Sequence, residues 1–396
     1  MLPQTDDASD DQEWMGMTEN NSSKPLRETA LLGLRLGLTA FGGPAAHIAM
    51  LRNEVVVQRK WLTDADFLDF LGITNLIPGP NSTEMVMHAG ATRAGRKGLV
   101  LAGLGFILPA ASITLFFAWL YGKYGMTPRG EDFMMAIKPV VIAVVLQAIV
   151  GLMKAAPRTV TSAVLIVLAA ALFLLGVNEL LVLFGGGLIM LALRKGRQIW
   201  SVSLAPLLLP LVLQTSTPSG PSTRDIFLSF LKIGSVLYGS GYVLLAFLQG
   251  EFVDRHGWLT EQQILDAIAV GQVTPGPVFS TATFAGYLMG SWSGAIAATL
   301  GIFLPAFIFV FLTHGLIHWS RRGEVTSSLL DGLNLAALGL MAGAAWVLGR
   351  DAIVSVWTLL IAAIALVALV KFRVNSTWLV LGAAIVGLIN AATGFI

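Results

Sequence analysis

The sequence predicts an all-α polytopic membrane protein made of two homologous, inverted-topology repeats. Three observations carry this. Apolar residues make up 55% of the 396 and charged residues only 12%, about half of the roughly 25% of a soluble domain. The apolar residues gather in long runs such as AVLIVLAAALFLLG (163–176) and TLLIAAIALVALV (358–370), not in the alternating pattern of a membrane barrel. A Pro-Gly-Pro triplet then interrupts two such runs, in ITNLIPGPNSTEM (73–85) and VGQVTPGPVFSTA (270–282).

The chain opens with a polar, acidic stretch, residues 1–27, read as a disordered cytoplasmic tail. It has neither the basic start nor the apolar core of a signal peptide. Against the ~20 residues needed to cross a bilayer, about 13 segments follow: 28–50, 66–90, 98–121, 133–153, 160–176, 179–193, 200–214, 226–248, 264–289, 294–318, 329–348, 352–370 and 376–394. The segments 179–193 and 200–214 are short.

The two Pro-Gly-Pro regions align in register. Trp61-Leu62-Thr63 matches Trp258-Leu259-Thr260, Phe41-Gly42 matches Tyr238-Gly239, Glu54 matches Glu251, Asp69 matches Asp266, and Asn75 matches Gln272. After one gap, Gly105 to Pro109 matches Gly301 to Pro305. This reads as a fused duplication: repeats at 28–197 and 225–396, joined by a connecting span and linker at 198–224. Seven spans separate the repeat starts, an odd number, so the halves lie in opposite orientations, as in many secondary transporters.

The basic clusters Arg93/Arg96/Lys97, Lys154/Arg158, Arg194/Lys195/Arg197, Arg321/Arg322 and Lys371/Arg373 fall on one side of the thirteen-span count, which the positive-inside rule makes cytoplasmic. Arg52, Arg59 and Lys60 fall on the other side. If both Pro-Gly-Pro segments are re-entrant hairpins, the count drops to eleven and the 52–60 loop becomes cytoplasmic.

Proline removes a backbone donor and ends a helix. In hydrocarbon, open backbone is tolerated only inside protein or beside a watery cavity. The helix restarting after Pro78-Gly79-Pro80 or Pro275-Gly276-Pro277 presents free N–H groups and a positive dipole end, which binds anions. Asn81, Ser82 and Thr83 in one half and Ser280 and Thr281 in the other supply hydrogen-bond donors there. Asn75 and Gln272 stand just ahead of the breaks. These residues are expected to bind the substrate, with the alternative that the triplets are only kinks.

In the first span of each half, Arg35 and Lys232 occupy equivalent positions. A cation inside a span costs about 2.5–3.5 kcal/mol on insertion scales and usually has a function. Attraction of an anion and snorkelling to the interface are the two readings. Phe41, Gly42, Gly43 and Pro44, and Tyr238, Gly239, Ser240 and Gly241, allow close backbone approach to a ligand. Glu84 and His88, four residues apart on one helix face, are either a proton relay or a hydrogen-bonded pair. Glu54 and Glu251 orient a cation or face water, Lys138 lies near an interface or cavity, and His314 and His318 lie at a wet span end. Thr63 with Asp66, and Thr260 with Gln263, read as capping boxes. Faces such as GAIAATLG (294–301) can pack helices within a chain or between the two chains of a homodimer.

There is no basic block for nucleic acid and no cysteine. There is no Walker loop, no H-E-x-x-H zinc pair and no G-x-S-x-G elbow. No cofactor and no metal are expected, and the reading is a transporter, not an enzyme.

FGGP, RKWLTDADFLDFLGITNLIPGP and its echo RHGWLTEQQILDAIAVGQVTPGP resemble the paired signatures of the chromate ion transporter family in its long, two-domain form, across nearly the whole chain after about residue 28. The resemblance implies a multi-pass protein of the bacterial inner membrane that exports chromate and confers chromate resistance, with thirteen spans and inverted halves. Gly-Ser-Gly in the second half replaces the Gly-Gly-Pro of the first, so the halves contribute unequally. Sulfate shares the shape and charge of chromate, which keeps a sulfate or other oxyanion transporter as the alternative and sulfate as an expected competitor.

Overall fold

The computed structural model describes residues 10–41, 43–124, 128–195, 220–238, 243–314 and 324–393, and no strand occurs among them. The expected segment at 200–214 and His318 lie outside the described residues.

Helices α1 (Asp10–Thr39), α2 (Gly43–Arg52), α3 (Asp64–Thr74), α4 (Asn81–Tyr124), α5 (Pro128–Ala155), α6 (Val160–Leu174) and α7 (Glu179–Lys195) are followed by a second series in the same order. That series is α8 (Thr223–Val236), α9 (Leu244–Leu248), α10 (Glu261–Val273), α11 (Thr281–Thr313), α12 (Glu324–Ala352), α13 (Val356–Val370) and α14 (Ser376–Thr393). A π-helical turn follows both α2 (Asn53–Gln58) and α9 (Gln249–Arg255). Helix α1 begins at Asp10, within the stretch read as a tail. By length and composition, Asn81–Tyr124, Met135–Lys154, Val278–Thr313 and Ser327–Ala352 can cross a bilayer, and α6, α13 and most of α14 are shorter apolar helices.

Both expected capping boxes are present. Thr63 accepts from the Asp66 N–H and Asp66 from the Thr63 N–H; Thr260 and Gln263 do the same. They fix where α3 and α10 begin.

Four of the expected segments contain a break at which the chain folds back on itself, as the re-entrant alternative has it for the two Pro-Gly-Pro segments. α1 breaks at Ala40 and the chain returns through α2, so that Arg35 Nη1 meets Glu54 Oε1 at 2.8 Å. The equivalent return from α8 through α9 joins Lys232 to Glu251. α3 ends before Pro78-Gly79-Pro80, and the first leg of α4 folds back on it: the Phe70 ring stacks on His88 at 5.0 Å. In the second half Tyr121 touches both sides of the matching hairpin, donating to Asp266 Oδ2 at 2.7 Å and packing on Phe284 at 5.2 Å. The cause is local. Gly79 has φ +141° and Gly276 φ +89°, which glycine adopts at little cost, and the flanking prolines cannot continue a helical ladder.

α4 and α11 each contain a second reversal with matching backbone angles. Ala94 (φ −142°, ψ 28°) and Gly95 (φ 60°, ψ −151°) turn α4; Gly290 (φ −146°, ψ 24°) and Ser291 (φ 54°, ψ −141°) turn α11. The long second legs, 96–124 and 292–313, meet at the centre. Arg96 lies 4.8 Å over the Phe311 ring, and further along Gly103 lies against Phe307. As one leg advances the other retreats, so these equivalent helices run antiparallel.

α1 runs alongside the second leg of α4, its glycines meeting the backbone of Ala102, Gly105 and Phe106, and α8 repeats this on α11. The face at 294–301 packs inside the chain, Gly294 on Gly286 and Gly301 on the Phe227 backbone. The remaining helices interlock the halves: α5 packs on α13 and α14, and α12 on α6 and α7.

Candidate functional site

The hairpin tips converge. The Gly79 N–H donates to the Leu237 carbonyl at 2.9 Å, and the Gly276 N–H to the Ala40 carbonyl at 2.9 Å. Each Pro-Gly-Pro tip therefore caps the broken first helix of the other half, satisfying a carbonyl that the break exposes. Pro78, Gly79, Pro80, Pro275, Gly276 and Pro277 are all buried.

Beside this crossing lies a cavity of about 330 Å³, at the small end of ligand sites. Its floor is Pro44, Pro80, Asn81 and Ser82 with Asn75; Val243, Val278 and Phe279 come from the second half; Asp331 and Asn334 of α12 and Ala156 and Pro157 after α5 complete the wall. The helix that starts at Asn81 points its first turn at this space. Thr83 and Glu84 turn their N–H groups onto the Pro80 carbonyl at 2.8 and 3.1 Å, while the earliest N–H groups of a helix have no partner within it. The Asn81 amide donates to Asn75 Oδ1 at 2.7 Å, which leaves the Asn75 NH₂ for a ligand. The polar lining is amides and a hydroxyl, with one carboxylate, Asp331, which is neutralised by Arg194 at 2.6 Å.

Among the described residues the matching place in the second half holds a much smaller space. Gln272 and Thr281 border a void of about 10 Å³, room for about one water. The Gln272 Nε2 has no hydrogen-bond partner among the described residues. Ser280 is buried with its hydroxyl 3.2 Å from that of Thr114.

Arg35 and Lys232 do not line the cavity. Each is held by the equivalent carboxylate. Glu54 takes Arg35 and also Arg59 at 3.1 Å; Glu251 takes Lys232 and Arg255, and His256 lies 3.7 Å from it. Each pair joins the first helix of its half to the π-helical turn of the returning chain. Phe41 and Tyr238 are half-buried beside the tips, and Gly43 begins α2. Gly42, Gly239, Ser240 and Gly241 lie outside the described residues. Thr83 is fully buried, its hydroxyl without a partner among the described residues.

Glu84 and His88 are fully buried and are not bonded to each other; the His88 Nδ1 lies 3.1 Å from the His314 Nδ1. Lys138 is buried 3.9 Å from Asp266. Sequence reasoning passed over His47, which lies 3.4 Å from the Ser82 hydroxyl, and Asn334. The latter has a signal: aligned after the single gap, Asn334 stands where the first half has Lys138. Among the described residues no cluster of three or more His, Asp or Glu is placed to hold a metal.

The family model described as chromate transporter matches residues 28–191 and again 224–388. The chain is 30% identical over 377 residues to the chromate transport protein of Cupriavidus metallidurans, covering 92% of this chain and 93% of that one. It is 32% identical over 326 residues to the chromate transport protein of Pseudomonas aeruginosa, covering 78% and 77%. It is 29% identical over 378 residues to a probable chromate transport protein of Synechococcus elongatus, covering 92% and 95%. No solved structure matches. The duplicated match, the paired Pro-Gly-Pro tips and the apolar helices lead to one statement: this chain belongs to the chromate transporter family.

Proposed function

We propose that the protein is a secondary transporter that carries chromate from the cytoplasm across a bacterial inner membrane, and that export confers chromate resistance. The observation that carries this reading is the cavity at the crossed tips, lined by a helix start, three asparagines and a serine, with its one carboxylate, Asp331, paired to Arg194. Donors of this kind read the charge and shape of a tetrahedral dianion.

The membrane placement we infer has about nine crossings and four half-depth hairpins, in place of thirteen crossings. The crossings are the long legs of α4 and α11 and helices α5, α6, α7, α12, α13 and α14; the segment that the sequence predicts at 200–214, outside the described residues, is counted as the ninth. Five of these lie between the equivalent hairpins, an odd number, so the repeats 28–197 and 225–396 are inverted. The antiparallel contact of the α4 and α11 legs supports this. Every basic cluster named above, with Arg52, Arg59 and Lys60 now included, falls on one side, which is then cytoplasmic. The cavity wall at Ala156, Pro157 and Asp331 lies toward that side, so the site is loaded from the cytoplasm. Exchange of roles between the two inverted halves would open it outward. An inside-negative potential favours exit of a dianion by roughly 4.6 kcal/mol per 100 mV, from about 2.3 per charge.

The test is chromate flux into inside-out vesicles with and without the protein, at varied membrane potential and with excess sulfate. Saturable, potential-driven accumulation is expected. Accumulation of sulfate in its place assigns the site to sulfate, and no flux of either anion under any gradient overturns the reading.

A further inference from the structure

Glu84 and its neighbours have no role in the anion site as described, and their placement asks for one. Glu84 is completely buried, and neither carboxylate oxygen has a hydrogen-bond partner among the described residues. The carboxylate lies against Gly79, whose missing Cβ would collide with Oε1. It therefore sits behind the same loop whose other face, Pro80 to Ser82, lines the cavity. One turn on, His88 meets His314 from the other half, Nδ1 to Nδ1 at 3.1 Å, so one ring must donate and the other accept. The His88 Nε2 has no partner among the described residues. Phe70 covers both rings, at 5.0 and 5.8 Å.

We propose that Glu84, with the His88–His314 pair leading to it, is a proton-binding site coupled to occupancy of the anion cavity. The proposal rests on the transport reading. An ionised carboxylate buried without a partner is costly, and a dianion across one loop from it adds a like-charge repulsion that low dielectric magnifies. A proton on Glu84 removes that repulsion. Anion and proton then favour each other's binding, and by linkage each raises the affinity for the other equally. The proton–chromate pair carries one net negative charge where chromate alone carries two.

Among the described residues, few other charged or titratable groups lie around this site. From the α8 break comes Tyr238, close enough to feel a charge on Glu84. From α2 comes His47, beside Ser82. At the far end of the first α4 leg, Arg93 is paired with Glu28 of α1 at 2.7 Å, and beyond the turn Arg96 lies over Phe311. No cation among these pairs with Glu84. The second half lacks the site: Thr281 stands at the place of Glu84, Ala285 at that of His88, and Ala118 at that of His314. The proposed proton site is therefore single, formed by the first half and by His314 of the second.

The experiment is calorimetric titration of the purified full chain with chromate, in buffers of different ionisation enthalpy. Chromate-linked proton uptake is expected in the wild type, and its loss in E84Q with chromate binding retained. Chromate binding without proton uptake overturns the proposal, as does unchanged uptake in E84Q. If E84Q binds no chromate, the pH profile of chromate affinity in Glu84→Asp decides: a shifted profile supports the proposal and an unshifted one overturns it. A wild-type chain that neither binds nor moves chromate defeats the transport reading, and the proposal with it.

Discussion

The backbone N–H of Gly79 donates to the carbonyl of Leu237, and the mirror bond runs from Gly276 to Ala40, both at 2.9 Å. Two tips that each complete the other half's broken helix make the centre of the molecule dependent on both. Gly276 has φ +89°, and a Cβ there would meet the Ala110 Cβ at 2.8 Å. The left-handed backbone alone costs a non-glycine residue about 1–2 kcal/mol. Gly276→Ala is therefore expected to lower stability by ~2–3 kcal/mol, with the contact included, and to abolish flux. Gly382→Ala is the control: it sits in α14 with nothing within 4 Å, and is expected to be neutral or to stabilise by up to ~1 kcal/mol. Thermal unfolding in detergent, beside vesicle flux, checks both.

The second turn offers a cleaner backbone test. Gly95 and Ser291 hold nearly the same dihedral angles, yet only one is glycine. Ser291→Gly relieves a positive φ at the tip of the α11 hairpin and is expected to stabilise by about 1 kcal/mol. Gly95→Ala is expected to destabilise by a similar amount, from the backbone alone, since no atom lies within 4 Å of its Cβ position. Equal and opposite shifts in unfolding temperature are the expected outcome. A stabilising Gly95→Ala would defeat the argument.

The two carboxylate–cation pairs look alike but differ in depth. The Lys232 and Glu251 side chains are 7% and 5% exposed, whereas that of Arg35 is 58% exposed. Removing one partner of a buried pair strands the other, at about 3–5 kcal/mol, while an exposed pair is worth ~0–1 kcal/mol. Lys232→Ala is expected to destabilise by about 3 kcal/mol, since Arg255 still faces Glu251, and Arg35→Ala by less than ~1 kcal/mol. Lys232→Ala with Glu251→Ala should recover part of the loss. If the single and double variants unfold alike, the pair is not coupled.

The duplication, the breaks and the caps were legible in the sequence because they are written in local chemistry. Prolines, glycines and Thr-x-x-Asp or Thr-x-x-Gln patterns act within a few residues. Whether a segment folds back at a break is harder to read, because about 25 apolar residues are equally compatible with one long helix and with two short ones folded together. What separates the cases is a contact across the fold, such as Phe70 on His88. The charge pattern held a clue: Arg52, Arg59 and Lys60 fell on the wrong side of a thirteen-span path. Arg35 and Lys232 were singled out for their cost in a span, but their partners Glu54 and Glu251 come from returning strokes of the chain, which periodicity does not show. Asn334 enters the cavity from the other half, and only the alignment of the repeats could have flagged it.

At the start of α10, ahead of its apolar part, Glu261 is pushed up to about 7, first by burial and then by the Asp351 carboxyl beside it. Its ordinary value is 4.5. A carboxyl raised in the folded state contributes stability that is complete below its unfolded value and lost as pH rises through the folded one. The link from α10 to the end of α12 should thus weaken between about pH 4.5 and 7. Glu261→Gln keeps the shape and removes the titration. The wild-type unfolding temperature is expected to fall across that window relative to the variant; parallel pH profiles would show that Glu261 is not the titrating group.

The cavity itself makes opposite predictions for two of its walls. Asn75 has its oxygen engaged by Asn81, so its NH₂ is the part available to an anion. A hydrogen bond to a charged group is worth about 1.5–3 kcal/mol, and each ~1.4 kcal/mol is tenfold in affinity. Asn75→Ala is expected to raise the half-saturating chromate concentration about tenfold, and Asn75→Asp more, by adding repulsion. Asp331 works the other way. It holds Arg194 at 2.6 Å, so Asp331→Asn removes a negative charge from the cavity wall and frees a cation near its mouth. The half-saturating concentration should fall, and the gain should shrink as salt screens the released charge. If Asp331→Asn weakens chromate transport at low salt, the anion does not enter past Asp331, and the loading path drawn from the cytoplasmic side is wrong.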